Sequence, residues 1–204
     1  MRVLELFAGT HSVGKVCKEL GYEVVSLDLA GADININILE WDYKKDYKPG
    51  DFDVIWSSPP CETFSICRQS WIGRKLKQFG DEIVTAKMLD DDMEARGLPV
   101  LRKTEEIINY FKPNRWVIEN PSTGKMKNYL KHLPHYDIDY CRYSDWGYKK
   151  PTRFWTNKEG FVGLKCNKNC GNMIGNKHKI KLDHVKGLHL RYRVPPKLIE
   201  ELLI

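Results

Sequence analysis

The sequence predicts an α/β fold, a mainly parallel Rossmann-like sheet with helices on both faces. Three observations carry this. Short apolar runs bounded by turn residues alternate with helix-spaced stretches from the N-terminus onward. The first strand, turn, helix and second strand form a βαβ unit with an acid, Asp28, at its tip. A chain of 204 residues, 42% of them hydrophobic, closes one sizeable core but hardly two independent ones.

Residues 2–7 read as a short buried strand, Ala8-Gly9-Thr10-His11-Ser12 as a turn, and residues 13–20 as a helix stopped by Gly21. Residues 23–27 form the second strand. The alternation continues with a strand at 53–57 and a helix whose apolar face is Leu101, Ile107, Ile108 and Phe111. Strands at 116–119, 136–141 and 153–156 follow. Two segments stand outside the pattern. Residues 62–98 are polar, with the acidic run Asp90-Asp91-Asp92 and a helix-compatible middle. Residues 157–193 hold five glycines and many lysines with little periodicity. There is no internal repeat and no low-complexity linker.

The formal charge is +6. Its surplus gathers late in the chain, at Lys165, Lys168, Lys177, Lys179, Lys181, Lys186, Arg191 and Arg193. Such a patch suits a phosphate backbone, and equally suits a solvated lysine-rich loop. Six cysteines are scattered along a chain too long to need staples, which fits a reducing compartment with separate jobs for separate thiols. No apolar run approaches the ~20 residues of a membrane span, and the N-terminus lacks a signal-peptide layout, so a soluble, intracellular protein is expected, in cytoplasm or in a eukaryotic host's nucleus.

In open α/β sheets ligands bind beyond the carboxyl ends of the strands, where loop amides and helix N-termini converge. All four early strand ends carry chemistry. Gly9 and Gly14 let the backbone turn tightly toward a ligand, and Asp28 is placed to accept from ribose hydroxyls; this suits a nicotinamide dinucleotide as well as S-adenosylmethionine (SAM). Pro59-Pro60 stiffens the exit from the third strand and holds Cys61 in one place, as a nucleophile or as a structural thiol. Glu119, at the rim of the strand Trp116-Val117-Ile118 and followed by Asn120-Pro121, is a candidate proton donor or a capping acid.

In combination and order, these pieces resemble the cytosine-5 DNA methyltransferase family. Leu6-Phe7-Ala8-Gly9-Thr10 with Ser12-Val13-Gly14 is similar to its SAM-binding motif, and Asn37-Ile38 sits where the family places an acid and an apolar residue beside the adenine. Pro59-Pro60-Cys61 with Phe64-Ser65 resembles the nucleophile motif, and Glu119-Asn120 the motif that supplies the acid. Thr152-Arg153-Phe154-Trp155 is similar to the end of a glutamine-arginine-arginine motif, and Val194-Pro195-Pro196 with Leu198 to a C-terminal motif that folds back to the cofactor. Departures are His11 in place of a usual glycine, Asn37 for aspartate, Glu62 for glutamine, and Lys149 and Pro151 for glutamine and the first arginine.

The resemblance implies a SAM-dependent methyltransferase fold with a very small target-recognition insertion. It divides the chain into a SAM-binding and catalytic domain at 1–156, a reduced recognition segment at 157–193 and a returning C-terminal helix at 194–204. It implies Cys61, Glu119 and Arg153 as catalytic residues. For the cofactor it implies Phe7, Ala8, Gly9, Thr10, His11, Ser12, Val13, Asp28, Asn37, Ile38 and Pro59. The implied reaction adds the Cys61 thiolate to carbon 6 of a flipped cytosine and transfers a methyl group to carbon 5. Residues 62–98 then contain a mobile loop over the base, with Ser65, Arg68, Gln69 and Arg74 as strand contacts.

DNA is the expected partner of a monomer, with RNA kept open as an alternative substrate. A non-catalytic nucleic-acid binding protein on the same fold is the reading from a different class. Cys166-x3-Cys170, with His178 and His184, offers four candidate zinc ligands; a metal-free loop gripping phosphates is the alternative.

Overall fold

The computed structural model describes residues 1–204. Strand β1 (Arg2–Leu6) leads to helix α1 (Ser12–Glu19), β2 (Glu23–Asp28), β3 (Ile34–Asn35), α2 (Tyr43–Asp46) and β4 (Val54–Ser57). Helices α3 (Ala86–Asp92) and α4 (Leu98–Phe111) follow, then β5 (Arg115–Pro121), β6 (His135–Asp139) and β7 (Pro151–Thr156). A small hairpin, β8 (Met173–Ile174) and β9 (Lys177–His178), precedes α5 (Leu188–Tyr192) and α6 (Pro196–Leu203). The main sheet has seven strands in the order β3-β2-β1-β4-β5-β7-β6. Its early pairings are parallel, and β7 runs antiparallel to both β5 and β6.

Central strands are covered on both faces, which is why they read as continuous apolar runs. Alternate residues of each strand face opposite layers. Leu4, Leu6, Ile55 and Ile118 pack with Leu101, Ile107 and Phe111 of α4 on one side. Val3, Val54, Trp56 and Val117 pack on the other with Val13, Val16 and Cys17 of α1 and Leu198, Ile199 and Leu202 of α6. Helix α6 also closes onto the first turn, where the Val194 N–H donates to Ser12 Oγ at 3.2 Å. No helix is long and apolar enough to cross a membrane.

The acidic run does not lie in a loop. Asp90, Asp91 and Asp92 belong to α3, which continues through a π-helical turn at Met93–Gly97 into α4. Aspartate is a poor helix former, and tertiary ion pairs override it here. Asp92 is held by Arg68 and Arg96, Asp90 by Lys125, and Asp91 by Lys87. Gly97 lets this helix lie against the loop after Cys61, since a Cβ there would fall 2.2 Å from Thr63 Oγ1. The expected strand 136–141 is shorter at its end, because Tyr140 and Cys141 turn out of the sheet in a 3-10 turn, Tyr140–Arg142. Strand β7 begins two residues before the expected 153–156, with Pro151 tolerated as its first residue.

Beneath α1, the buried Glu5 carboxylate accepts the Gly14 N–H at 3.0 Å. A Cβ on Gly14 would lie 2.6 Å from that carboxylate, so the glycine is a packing requirement. Burial pushes the Glu5 carboxyl up from about 4.5 to about 7, against the lowering effect of the Gly14 and Val13 amides. An acid whose folded value lies above its unfolded one contributes stability that is fully present at pH 4.5 and lost as pH rises to about 7. Urea unfolding at several pH values is therefore expected to show stability falling across this window, by at most on the order of 3 kcal/mol. Glu5→Gln should flatten that slope; an unchanged slope would assign it to other groups.

Candidate active site

Strand register sets the site. Leu6 of β1 pairs with Leu27 of β2 and with Ser57 of β4, and Ser57 pairs with Ile118 of β5. β1, β2 and β4 thus end within a residue of one row, while β5 runs on to Pro121 against β7. Phe7-Ala8-Gly9, Asp28, Ser58-Pro59-Pro60-Cys61 and the last residues of β5, Glu119-Asn120, lie along a single edge of the sheet.

Two of these strand ends are tied together. Asn120 Nδ2 donates to the Pro59 carbonyl at 2.8 Å in a buried hydrogen bond, which fixes the Pro-Pro-Cys loop against the end of β5. Glu119 is 6% exposed, and its Oε1 accepts from the Tyr140 hydroxyl at 3.0 Å and from Lys150 Nζ at 3.4 Å. The Lys150 ammonium also sits over the Tyr140 ring, 4.7 Å from its centre. Burial raises the Cys61 thiol above its ordinary value; the Glu119 charge adds to this and the Lys150 charge opposes it. At rest Cys61 is mainly a thiol, with a carboxylate and an ammonium near enough to tune it.

The first turn holds three consecutive alternate residues in the left-handed region: Phe7 (φ 61°), Gly9 (φ 47°) and His11 (φ 54°). The position where relatives of the motif carry glycine is therefore one that costs a histidine backbone strain. His11 Nε2 lies 2.8 Å from the Gly31 carbonyl, which anchors the ring. Ala8 N–H donates to Leu27 O at 3.1 Å, and Gly9 N–H to Asp28 Oδ2 at 2.8 Å. Asp28 Oδ1 accepts from Leu29 N–H at 2.7 Å, so each carboxylate oxygen keeps capacity for a further donor.

The Thr10 amide is without a protein acceptor, and Ser12 is engaged by Val194. The unpaired Thr10 amide and the spare acceptor capacity of Asp28 are chemically suited to the amino acid and ribose ends of SAM. Val13 and Ile38 are different: their side chains are buried in the two core clusters. Asn37 Oδ1 caps its own turn by accepting from Leu39 N–H at 3.1 Å, and Pro59 is buried within the Pro-Pro-Cys loop.

Arg153 sits on β7. It lies directly across from Asp137 on β6, and its guanidinium forks onto that carboxylate at 2.6 and 2.8 Å. The cation that reaches Glu119 is Lys150. Arg68, expected as a strand contact, is 3% exposed; it pairs with Asp92, donates to the Thr63 carbonyl at 3.1 Å and stacks 5.2 Å from the Trp71 ring centre. It pins the loop after Cys61 rather than facing outward. Ser65 caps the following 3-10 turn through Cys67 N–H, and Gln69 and Arg74 are exposed. Tyr140 and Lys150 were missed: only their neighbourhood, the end of one strand and the approach to the next, marked them.

The seven-stranded order with an antiparallel β7, and the cofactor-type turn on β1, define the Rossmann-like fold of SAM-dependent methyltransferases. The chain is 49% identical, over 218 aligned positions, to a probable DNA (cytosine-5)-methyltransferase of Frog virus 3 (isolate Goorha), covering 100% of this chain and 99% of that protein. It belongs to the cytosine-5 DNA methyltransferase family. No family model matches it.

Among solved structures, it is similar to a putative DNA modification methyltransferase encoded within an Escherichia coli prophage (TM-score 0.48, 11% identity, 76% of this chain and 46% of that one). It is also similar to the Dnmt2 methyltransferase of Schizosaccharomyces pombe (TM-score 0.42, 12% identity, 82% and 52%). A Spodoptera frugiperda DNMT2 mutant gives TM-score 0.45 at 16% identity, with 81% and 53% covered. The chain spans about half the length of these solved structures.

The opposed charges around Cys61 have a measurable consequence. Glu119→Gln removes a raising influence and Lys150→Met a lowering one, so alkylation of Cys61 by iodoacetamide at fixed pH should quicken in the first and slow in the second. Below the thiol's midpoint each unit of displacement is about tenfold in rate. Peptide mapping distinguishes Cys61 from the exposed Cys67. Equal rates in all three proteins would remove the electrostatic coupling.

Proposed function

We propose that the protein transfers a methyl group from SAM to carbon 5 of cytosine in DNA, through a covalent bond between Cys61 and carbon 6 of a base held outside the helical stack. The observation that carries this reading is the buried Asn120–Pro59 hydrogen bond, which fixes a cysteine and a buried carboxylate on adjacent strand ends. Gly9, Thr10, His11, Ser12 and Asp28 would hold the cofactor at the next strand ends along the row. When bound, SAM supplies the methyl group that carbon 5 accepts.

Carbon 5 of cytosine is a weak nucleophile, so the protein must first raise its electron density. The Cys61 thiolate forms a bond to carbon 6, and the pair of the 5,6 double bond moves toward carbon 5 and ring N3. Glu119 relieves the charge at N3 by sharing a proton there. Tyr140 and Lys150 both engage Oε1 of Glu119, which orients the carboxyl and leaves Oε2 without a protein donor. After methylation, solvent water takes the carbon 5 proton, the C–H electron pair re-forms the 5,6 double bond, and the Cys61 sulfur departs from carbon 6 as the thiolate.

These groups lie on a sheet edge that a stacked base does not reach, which is why the reading needs an extruded or unpaired nucleotide. A cleft of about 630 Å³ lined by Lys149, Lys177, Lys179, Lys181 and His184 supports a phosphate backbone alongside.

Tritium-labelled SAM offered with duplex DNA and with transfer RNA tests this. Label is expected in DNA, as 5-methylcytosine. It should be abolished by Cys61→Ala and reduced roughly a hundredfold or more by Glu119→Gln, the range for loss of a general acid. Label entering RNA alone would overturn the substrate. A folded protein that binds SAM and labels neither would overturn the reaction and favour a binding role.

A further inference from the structure

Outside the catalytic edge, four metal-binding side chains converge from three parts of the chain. Cys141 follows β6, Cys166 and Cys170 flank a tight turn, and His178 ends β9. Their ligating atoms all lie within 4.8 Å of one another, and the three cysteines are buried. His178 Nε2 is 3.4 Å from Cys170 Sγ and 3.6 Å from Cys166 Sγ. A tetrahedral zinc ion with Zn–S of about 2.3 Å and Zn–N of about 2.0 Å spans sulfur-to-nitrogen edges of about 3.5 Å. We propose that Cys141, Cys166, Cys170 and His178 form a structural zinc site that fastens residues 157–193 to the catalytic sheet.

The surroundings are built for these ligands. Asn172, 3% exposed, donates from Nδ2 to the carbonyls of Cys141 (3.0 Å) and Ser144 (2.7 Å), and its Oδ1 accepts from Gly147 N–H at 3.0 Å. One side chain thus clamps the Cys141 segment to the turn that bears Cys170. Asp139 Oδ2 accepts from Cys166 N–H at 2.8 Å and locks the other side. Lys168, between Cys166 and Cys170, takes a left-handed conformation (φ 62°). Outer-shell bonds such as those of Asn172 and Asp139 orient metal ligands.

Apolar packing does not explain the cluster. The three cysteines form a separate group with only Met173 against it, joined to neither main core. Within residues 157–193 the buried side chains are Phe161, Cys166, Cys170, Asn172 and Val185, too few to hold such a segment by burial alone. A pairwise disulfide would leave an odd thiol facing the imidazole. Three thiolates and a neutral imidazole around a divalent ion carry net charge −1, and Lys165, Lys168, Lys177 and Lys179 adjoin the ligands in sequence. His184, the fourth ligand suggested by sequence, instead lines the lysine cleft, and Cys141 replaces it.

The site also bears on catalysis by position. Cys141 directly follows Tyr140, whose hydroxyl holds Glu119, so the ion ties the basic segment to the strand end that orients the acid.

Native mass spectrometry and elemental analysis of the purified full chain are expected to show one zinc per molecule. Cobalt loaded in its place should give tetrahedral d–d bands and thiolate-to-cobalt charge transfer. His178→Cys should keep one metal and strengthen the charge-transfer band, whereas His184→Ala should change neither stoichiometry nor spectrum. Cys141→Ser should weaken the band and speed zinc loss to a chelator. Chelation of the wild type should raise hydrogen exchange in residues 157–193 while the central strands stay protected. A folded, metal-free protein that takes up no added zinc would overturn the proposal. So would a disulfide among the three cysteines, or a cobalt spectrum indifferent to Cys141→Ser.

Discussion

A single buried hydrogen bond, from the Asn120 side chain to the Pro59 carbonyl, joins the Pro-Pro-Cys loop to the end of β5. Parallel pairing sets Ser57, the last residue of β4, beside Ile118 of β5, but a loop that leaves a sheet is free to diverge. Proline removes a donor from the Pro59-Pro60 loop and stiffens it, so the carbonyl of Pro59 presents itself as an acceptor. The amide of Asn120 meets it away from water, where leaving either group unpaired would cost about 1–3 kcal/mol. Glu119 adjoins Asn120 and Cys61 stands two residues beyond Pro59, so this bond ties the two segments that carry them.

Around that constraint, charges are arranged in opposition. A half-buried thiol beside a carboxylate is a poor nucleophile at rest, and the Lys150 ammonium is the local counterweight. Tyr140, Lys150 and Glu119 form a buried network in which the phenol and the ammonium share one carboxylate oxygen. Such networks specify one arrangement when every member is satisfied. Further along the same edge, the turn after β1 holds left-handed residues at Phe7, Gly9 and His11, and Glu5 supports the start of α1 from below. Strain and a buried carboxylate thus underlie the cofactor loop, while ordinary apolar layers hold the rest of the sheet.

Much of this was legible in the residues. Strand ends could be read because each apolar run stops at a chemically distinct residue, and parallel register then aligns those stops. The division of labour between Lys150 and Arg153 could not be read. Both are basic and near the start of one strand; only the pairing of β6 with β7 shows that Asp137 lies opposite Arg153 and occupies it. The place of the acidic run inside helix α3 is not legible locally, because aspartate is a poor helix former and its partners Arg68 and Lys125 are distant in sequence. Cys141 was separated from Cys166 by a whole strand, so spacing alone favoured the nearer His184.

The central claim is that Cys61 is the atom that bonds to the base. It is tested most directly by incubating the protein and SAM with a DNA duplex containing 5-fluorocytosine, in which the carbon 5 proton cannot leave, and mapping the trapped complex by mass spectrometry. A denaturation-resistant complex with the nucleotide on the peptide containing Cys61 is expected. A protein that binds and methylates DNA without such an adduct, or an adduct on any other cysteine, would contradict it.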